Sequence, residues 1–119
     1  MRRDEASLLD IARAAGLILA FREGLDEAAF HSDLKTQSAI LHQLLVLGES
    51  VKRLSDAFRV EHPEIPWRLI AGMRDKLIHG YDAVDLAEVW RVAERDIPEL
   101  LRAIESLLPK KSSWTDERL

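Results

Sequence analysis

The chain contains no cysteine, which excludes a disulfide framework, thiolate catalysis and any cysteine-built metal site. It also lacks an apolar run long enough to span a bilayer. Its start, Met1-Arg2-Arg3-Asp4-Glu5, turns acidic where a secretory signal would turn apolar, so a cytoplasmic location is the expectation. A basic excess is missing as well: 17 Lys and Arg stand against 21 Asp and Glu, a net charge of −4 at pH 7. Broad electrostatic capture of nucleic acid is therefore excluded, and any such contact needs a local basic patch or one built by oligomerisation. Strand signals, internal repeats and low-complexity segments are absent. His31, His42 and His62 fall in separate elements without ligand-like spacing, so neither a metal nor a cofactor is expected. What is present, 119 residues with 47% hydrophobic and 32% charged content, is ordinary for one helical domain with a modest core.

The apolar pattern has a helical period throughout. Leu8, Ile11, Ala15, Ile18 and Leu19 predict a helix from about Glu5 to Arg22, stopped by Gly24. Asp26 is placed to cap a short turn through His31. A long helix follows from Asp33 or Leu34 to about Arg59, with Ile40, Leu41, Leu44, Leu45, Leu47, Val51, Leu54 and Phe58 on a broad apolar face. Gly48 inside it weakens the helix by roughly 1 kcal/mol against alanine, and so marks a close approach of another helix. Pro63 and Pro66 end the run. Pro66 is suited to be the first residue of a third helix reaching His79, with Gly80 as its left-handed terminator. Asp85 and Glu88 form a candidate capping box for a fourth helix to Leu108, which Pro98 should kink or break after Asp96. The expected architecture is an all-α antiparallel bundle of four to five helices over residues 1–109, followed by a polar, loose tail over 110–119.

The third helix carries the chemistry. At about 100° per residue, Arg68, Gly72, Asp75 and His79 share one stripe, while Trp67, Ile70, Met73, Leu77 and Ile78 form the apolar side. Arg74 falls among the apolar set, where a guanidinium requires a carboxylate, a phosphate or a protein interface. A structural salt bridge to Glu49 is one reading and phosphate binding another. His79 is placed either to cap the helix end or to act as general acid or base, with Asp75 one turn earlier to hold its ring. Arg74 and His79 lie roughly 140° apart on the wheel, so acting on one phosphate requires the arginine's reach or a second copy across a two-fold axis. Trp67 and Trp90 read as core or interface anchors, and Arg68 and Lys76 as solvated charge or local positive potential. Nothing assigns a role to Trp114 in the tail.

The segment Arg74-Asp75-Lys76-Leu77-Ile78-His79-Gly80-Tyr81 matches the R-x4-H-x-Y pattern of HEPN-domain proteins. It is preceded by Gly48-Glu49-Ser50, Lys52-Arg53-Leu54-Ser55, Ile65-Pro66-Trp67 and Ile70-Ala71-Gly72-Met73, and followed by Val84-Asp85 and Val89-Trp90. This ordered series resembles HepT, the toxin of HepT/minimal-nucleotidyltransferase toxin–antitoxin pairs of the type VII kind, over nearly the whole chain outside the tail. The resemblance implies an all-helical homodimer and a metal-independent endoribonuclease acting on RNA, transfer or messenger. In it Arg74 binds the scissile phosphate and His79 serves as acid or base in attack by the ribose 2′-hydroxyl. Asp75 takes the polar slot, often Asn in the family, that orients the histidine. Tyr81 is the tyrosine that the partner nucleotidyltransferase modifies with AMP to silence the toxin. A second class of function fits the same residues: a non-catalytic helical module that docks the nucleotidyltransferase and is its substrate. The acidic balance and Asp75 favour that module; the complete Arg74/His79 pair favours the enzyme.

Overall fold

Leu8, Ile11, Ala15 and Ile18 recur on one face of α1 (Arg2–Arg22) and all four are buried, which is why this stretch forms a helix against a core. The chain, seen in a computed structural model, is described over residues 2–80 and 84–108; Tyr81 and the tail from 109 onward lie outside the described residues. Gly24 ends the α1 segment at φ +80°, a left-handed conformation that side chains resist. Helix α2 (Glu27–His31) is capped by Asp26, whose Oδ1 accepts from the Ala29 amide at 2.8 Å. Helix α3 (Leu34–Arg53) is capped by Asp33, which accepts from the Thr36 amide at 3.0 Å and from its hydroxyl at 2.8 Å. The side-chain amide of Gln37 donates to Phe30 O and His31 O at 2.9 and 3.1 Å, satisfying carbonyls at the end of α2.

The helix expected to continue to Arg59 is in fact two helices. Leu54 and Ser55 are extended, with ψ of 145° and 152°, and α4 (Asp56–Glu61) starts afresh. Ser55 caps α4 by accepting from the Phe58 amide at 3.1 Å. Its own amide and hydroxyl donate to the two carboxylate oxygens of Asp4, at 2.9 and 2.8 Å. A carboxylate from the start of α1, only 4% exposed, therefore fixes the break.

That contact makes a prediction with a definite sign. The Ser55 amide, and next its hydroxyl, hold the Asp4 carboxyl below the usual carboxylate range. A group depressed in the folded state stabilises fully above its unfolded pKa of about 3.9 and loses that contribution as pH falls through the folded value. Asp4→Ala is expected to cost about 2 kcal/mol near neutrality. In urea titrations the gap between wild type and variant should be constant above about pH 5 and narrow as pH falls from about 5 to about 3 and below. A gap that stays constant over the lower range as well would show that the carboxylate's charge is not what holds Ser55.

Helix α5 (Trp67–His79) begins with Pro66 as its cap rather than as its first turn. Trp67 Nε1 donates to His62 O at 2.9 Å, closing the connection from α4. Gly80 does not terminate α5 in a left-handed conformation: its φ is −155°, and its amide donates to Lys76 O at 2.9 Å. Asp85 caps α6 (Leu86–Arg91) through the Ala87 amide at 2.9 Å, while Glu88 sits 3.9 Å from Arg91 instead of closing a capping box. Pro98 does not break the rod. A π-helical turn over Val92–Asp96 precedes α7 (Ile97–Leu107), and the Ile97 amide donates to Val92 O, five residues back. The wider turn accommodates a ring that has no amide to give, and the backbone stays right-handed helical.

Four long rods result, α1, α3, α5 and the α6–π–α7 rod, with no strand among the described residues. Helix α1 packs between α3 and α7, and α3 between α1 and α5. Trp90 and Trp67 are both buried; Trp90 lies against Phe30 with centroids 5.3 Å apart, under the Arg22 guanidinium at 5.4 Å. Helix α5 packs mainly on α3 alone, and it leaves Leu69 74% and Ile78 49% exposed. Among the described residues no helix is long and apolar enough to cross a membrane.

Candidate functional site

Gly48 brings α5 down onto α3. A Cβ at position 48 would collide with Arg74 Cβ and would lie 3.0 Å from Arg74 Cγ and 3.3 Å from Ile70 O. The root of Arg74 therefore rests on the bare backbone of α3, and its guanidinium is directed along that helix. Nη2 reaches Glu49 Oε2 at 3.4 Å and Nη1 reaches Asp75 Oδ1 at 3.1 Å. Nε is buried without a hydrogen-bond partner among the described residues, so there the two terminal nitrogens make the guanidinium's polar contacts.

Asp75 serves the arginine rather than the histidine. Its Oδ1 also accepts from Lys52 Nζ at 2.9 Å. The Lys52 ammonium, and next the Arg74 guanidinium, hold its carboxyl below the usual carboxylate range. The expected contact between this carboxylate and the His79 ring is not made. Although one helical turn puts the two residues on the same stripe, two cations draw the carboxylate toward α3. Arg74 is mostly covered but its acidic partners and Lys52 are roughly half-exposed, so water screens these pairs and they add little to stability. What they do is fix the direction of Arg74. Lys52 has no sequence-based assignment; its signal is the Glu49/Lys52 spacing, which sets an acid and a base one turn apart opposite Arg74-Asp75.

His79 is oriented by backbone. Its Nδ1 lies 2.8 Å from Asp75 O, and because a carbonyl can only accept, Nδ1 carries the proton. Nε2 is then the acceptor nitrogen of the neutral ring, at an exposed helix end. Arg68 and Lys76 are also exposed on α5. One helix thus presents an imidazole with a fixed tautomer and, on another side, an arginine tied to two carboxylates. No hydrogen bond joins the two within the chain. Among the described residues no group of His, Asp and Glu is arranged to hold a metal ion.

A strandless bundle whose third long rod ends in this arginine and histidine is HEPN-like in architecture. The model of the HepT-like ribonuclease family matches residues 11–107, and the chain belongs to that family, a family of endoribonucleases. It is 43% identical over 108 residues to a protein of Thermococcus cleftensis named "Probable ribonuclease HepT", covering 90% of this chain and 98% of the relative. A "Putative RNase" of Methanocaldococcus jannaschii is 37% identical over 90% of this chain and 93% of its own length. Another "Putative RNase", of Caldanaerobacter subterraneus, is 38% identical over 75% of this chain and 80% of its own. No solved structure matches the chain significantly.

Proposed function

We propose that this chain is the toxin of a toxin–antitoxin pair, a homodimeric, metal-independent endoribonuclease in which Arg74 and His79 act on a scissile phosphate of RNA. The observation that carries the reading is the His79 tether: with Nδ1–H donated to Asp75 O, the Nε2 lone pair is directed outward at the helix end. In this mechanism Nε2 accepts the proton of the ribose 2′-hydroxyl as that oxygen attacks the adjacent phosphorus. The P–O5′ bond breaks, leaving a 2′,3′-cyclic phosphate and a 5′-hydroxyl that takes up one proton. Arg74 neutralises the charge growing on the phosphoryl oxygens through its planar fork.

Since the two residues diverge on one helix, the arginine acting with a given histidine is that of a second copy. The uncovered face of α5 supports such pairing. It flanks an apolar cleft of about 340 Å³ lined by Leu44, Leu47, Ile70, Met73, Ile97 and Leu100, with Leu69 standing out beside it. The test is incubation of the purified protein with RNA in EDTA. Cyclic-phosphate-ended fragments are expected, and intact RNA would refute the enzyme.

Tyr81, two residues beyond His79, is proposed as the site at which a cognate nucleotidyltransferase attaches AMP. An added anionic nucleotide next to His79 would block the RNA path and repel its phosphates. Incubation with that partner and ATP is expected to add the mass of AMP, and Tyr81→Phe to abolish the addition; a mass gain that persists in the variant would remove Tyr81 from the scheme. One observation favours a second reading, a non-catalytic module that only docks the nucleotidyltransferase. The Arg74 fork is already engaged by Glu49 and Asp75, so a phosphate must compete with two carboxylates. The EDTA experiment separates the two.

A further inference from the structure

A second cleft, of about 400 Å³, opens beside His79, between the end of α5 and the start of α6. Its volume is near the lower end of the range for small-ligand sites, about 300–1,000 Å³. Its floor is apolar: Met73, Leu77, Val84 and Val89, of which Leu77 and Val89 are buried. The two lips differ in charge. On the α5 side stand Lys76 and His79; on the α6 side stand Asp85 and Glu88.

This asymmetry describes what fits. An anion is admitted at the α5 lip and repelled at the α6 lip. A flat apolar body can lie on the floor. Its far edge must carry hydrogen-bond donors, because carboxylates only accept. Asp85 is held in place by capping α6, with Oδ1 accepting from the Ala87 amide at 2.9 Å. Glu88 is freer: its ionic neighbour among the described residues, Arg91, is 3.9 Å away, beyond hydrogen-bonding distance. A nucleotide answers all three requirements, with phosphate toward Lys76, ribose hydroxyl toward the acceptor Nε2 of His79, base on the floor and base edge toward the carboxylates. Among the bases, guanine alone sets two N–H donors, N1–H and the N2 amino group, side by side to match the two oxygens of one carboxylate.

We propose that this cleft is a base-selective subsite that seats a guanine of the RNA next to the phosphate on which His79 acts, with Glu88 accepting from the guanine edge. The inference rests on the ribonuclease reading for its biological role, and its binding geometry can be measured independently.

The experiment uses the full chain, folded by the criterion of an unchanged helical circular dichroism spectrum, and titrates 3′-GMP and 3′-IMP while following the Leu77 and Val89 methyl resonances. Hypoxanthine differs from guanine only in lacking the N2 amino group. The expected result is binding of 3′-GMP about ten-fold tighter than 3′-IMP, falling to within about two-fold in Glu88→Gln. Equal binding of the two nucleotides, a preference that survives Glu88→Gln, or shifts that bypass Leu77 and Val89 would each overturn the subsite. Mapping of cut sites on RNA of mixed sequence then separates the two readings. Cutting beside guanine that becomes indiscriminate in Glu88→Gln supports both. Cutting without base preference leaves the ribonuclease and removes the subsite. Selective 3′-GMP binding without cleavage keeps the subsite and removes the ribonuclease.

Discussion

His79→Ala is expected to slow RNA cleavage by about 10²–10⁴-fold, the usual contribution of a positioned general acid or base. The measurement is the initial rate on a fluorescently labelled RNA in EDTA. The size follows from the tether: with Nδ1 committed to Asp75 O, no other described side chain on α5 presents a basic nitrogen in the same way. Arg74→Ala should cost about 10²-fold, and Arg74→Lys should recover little of it, because an ammonium lacks the planar fork. Asp75→Asn should move the other way. It removes a negative charge a few ångströms from the phosphate and releases one side of the arginine, a gain of roughly three-fold at solvent-like dielectric. If active sites combine Arg74 of one copy with His79 of its partner, mixing the two inactive alanine variants in equal amounts restores about a quarter of wild-type activity, because half the dimers then hold one complete site in two. His79→Ala cutting at the wild-type rate would end the mechanism. Mixed variants remaining inactive would end the shared site alone.

Gly48→Ala is expected to destabilise the fold by about 1–2 kcal/mol, although alanine is the better helix former. Two effects oppose each other. Helix propensity favours alanine by roughly 1 kcal/mol. Overpacking a well-filled contact costs about 1–3 kcal/mol. The second wins here because the atoms that must yield are the root of Arg74 and the carbonyl of Ile70, neither of which can swing aside like the tip of a flexible chain. Gly48→Val should cost more. Gly72, on α5, is the control: a Cβ there meets nothing within 4 Å, so Gly72→Ala should stabilise by up to about 1 kcal/mol. Urea midpoints for the two alanine variants on opposite sides of wild type are the expected result. A stabilised Gly48→Ala would mean that α3 and α5 are free to separate.

Local chemistry made much of the fold readable. Asp26, Asp33 and Asp85 cap helices as short polar side chains do, Gly24 takes the left-handed turn, and Gly48 lies where two helices meet. The break at Leu54-Ser55 was not readable, since Leu54 and Phe58 continue the apolar period. Its cause is Asp4, 51 residues away in the chain. The site divides the same way. A wheel puts Asp75 and His79 on one stripe and separates Arg74 from both. The wheel carries no information about Lys52 on another helix, and it is Lys52 together with Arg74 that draws the Asp75 carboxylate from the ring. Contacts within one turn are written locally; competition among charges from different helices is settled only by packing.

The uneven support of α5 gives the molecule two built-in optical probes. Trp67 is buried at the junction of α4 and α5, whereas Trp90 is enclosed by Phe30 and Arg22 near α1 and α2. Because α5 packs mainly on α3 alone, the helix bearing Arg74 and His79 can peel away by giving up one main interface. Local opening of that kind is a lower-energy event than global unfolding. In a Trp114→Phe background, emission from Trp67 would report the loosening of the helix that carries the chemistry, and emission from Trp90 the loss of the core beneath it.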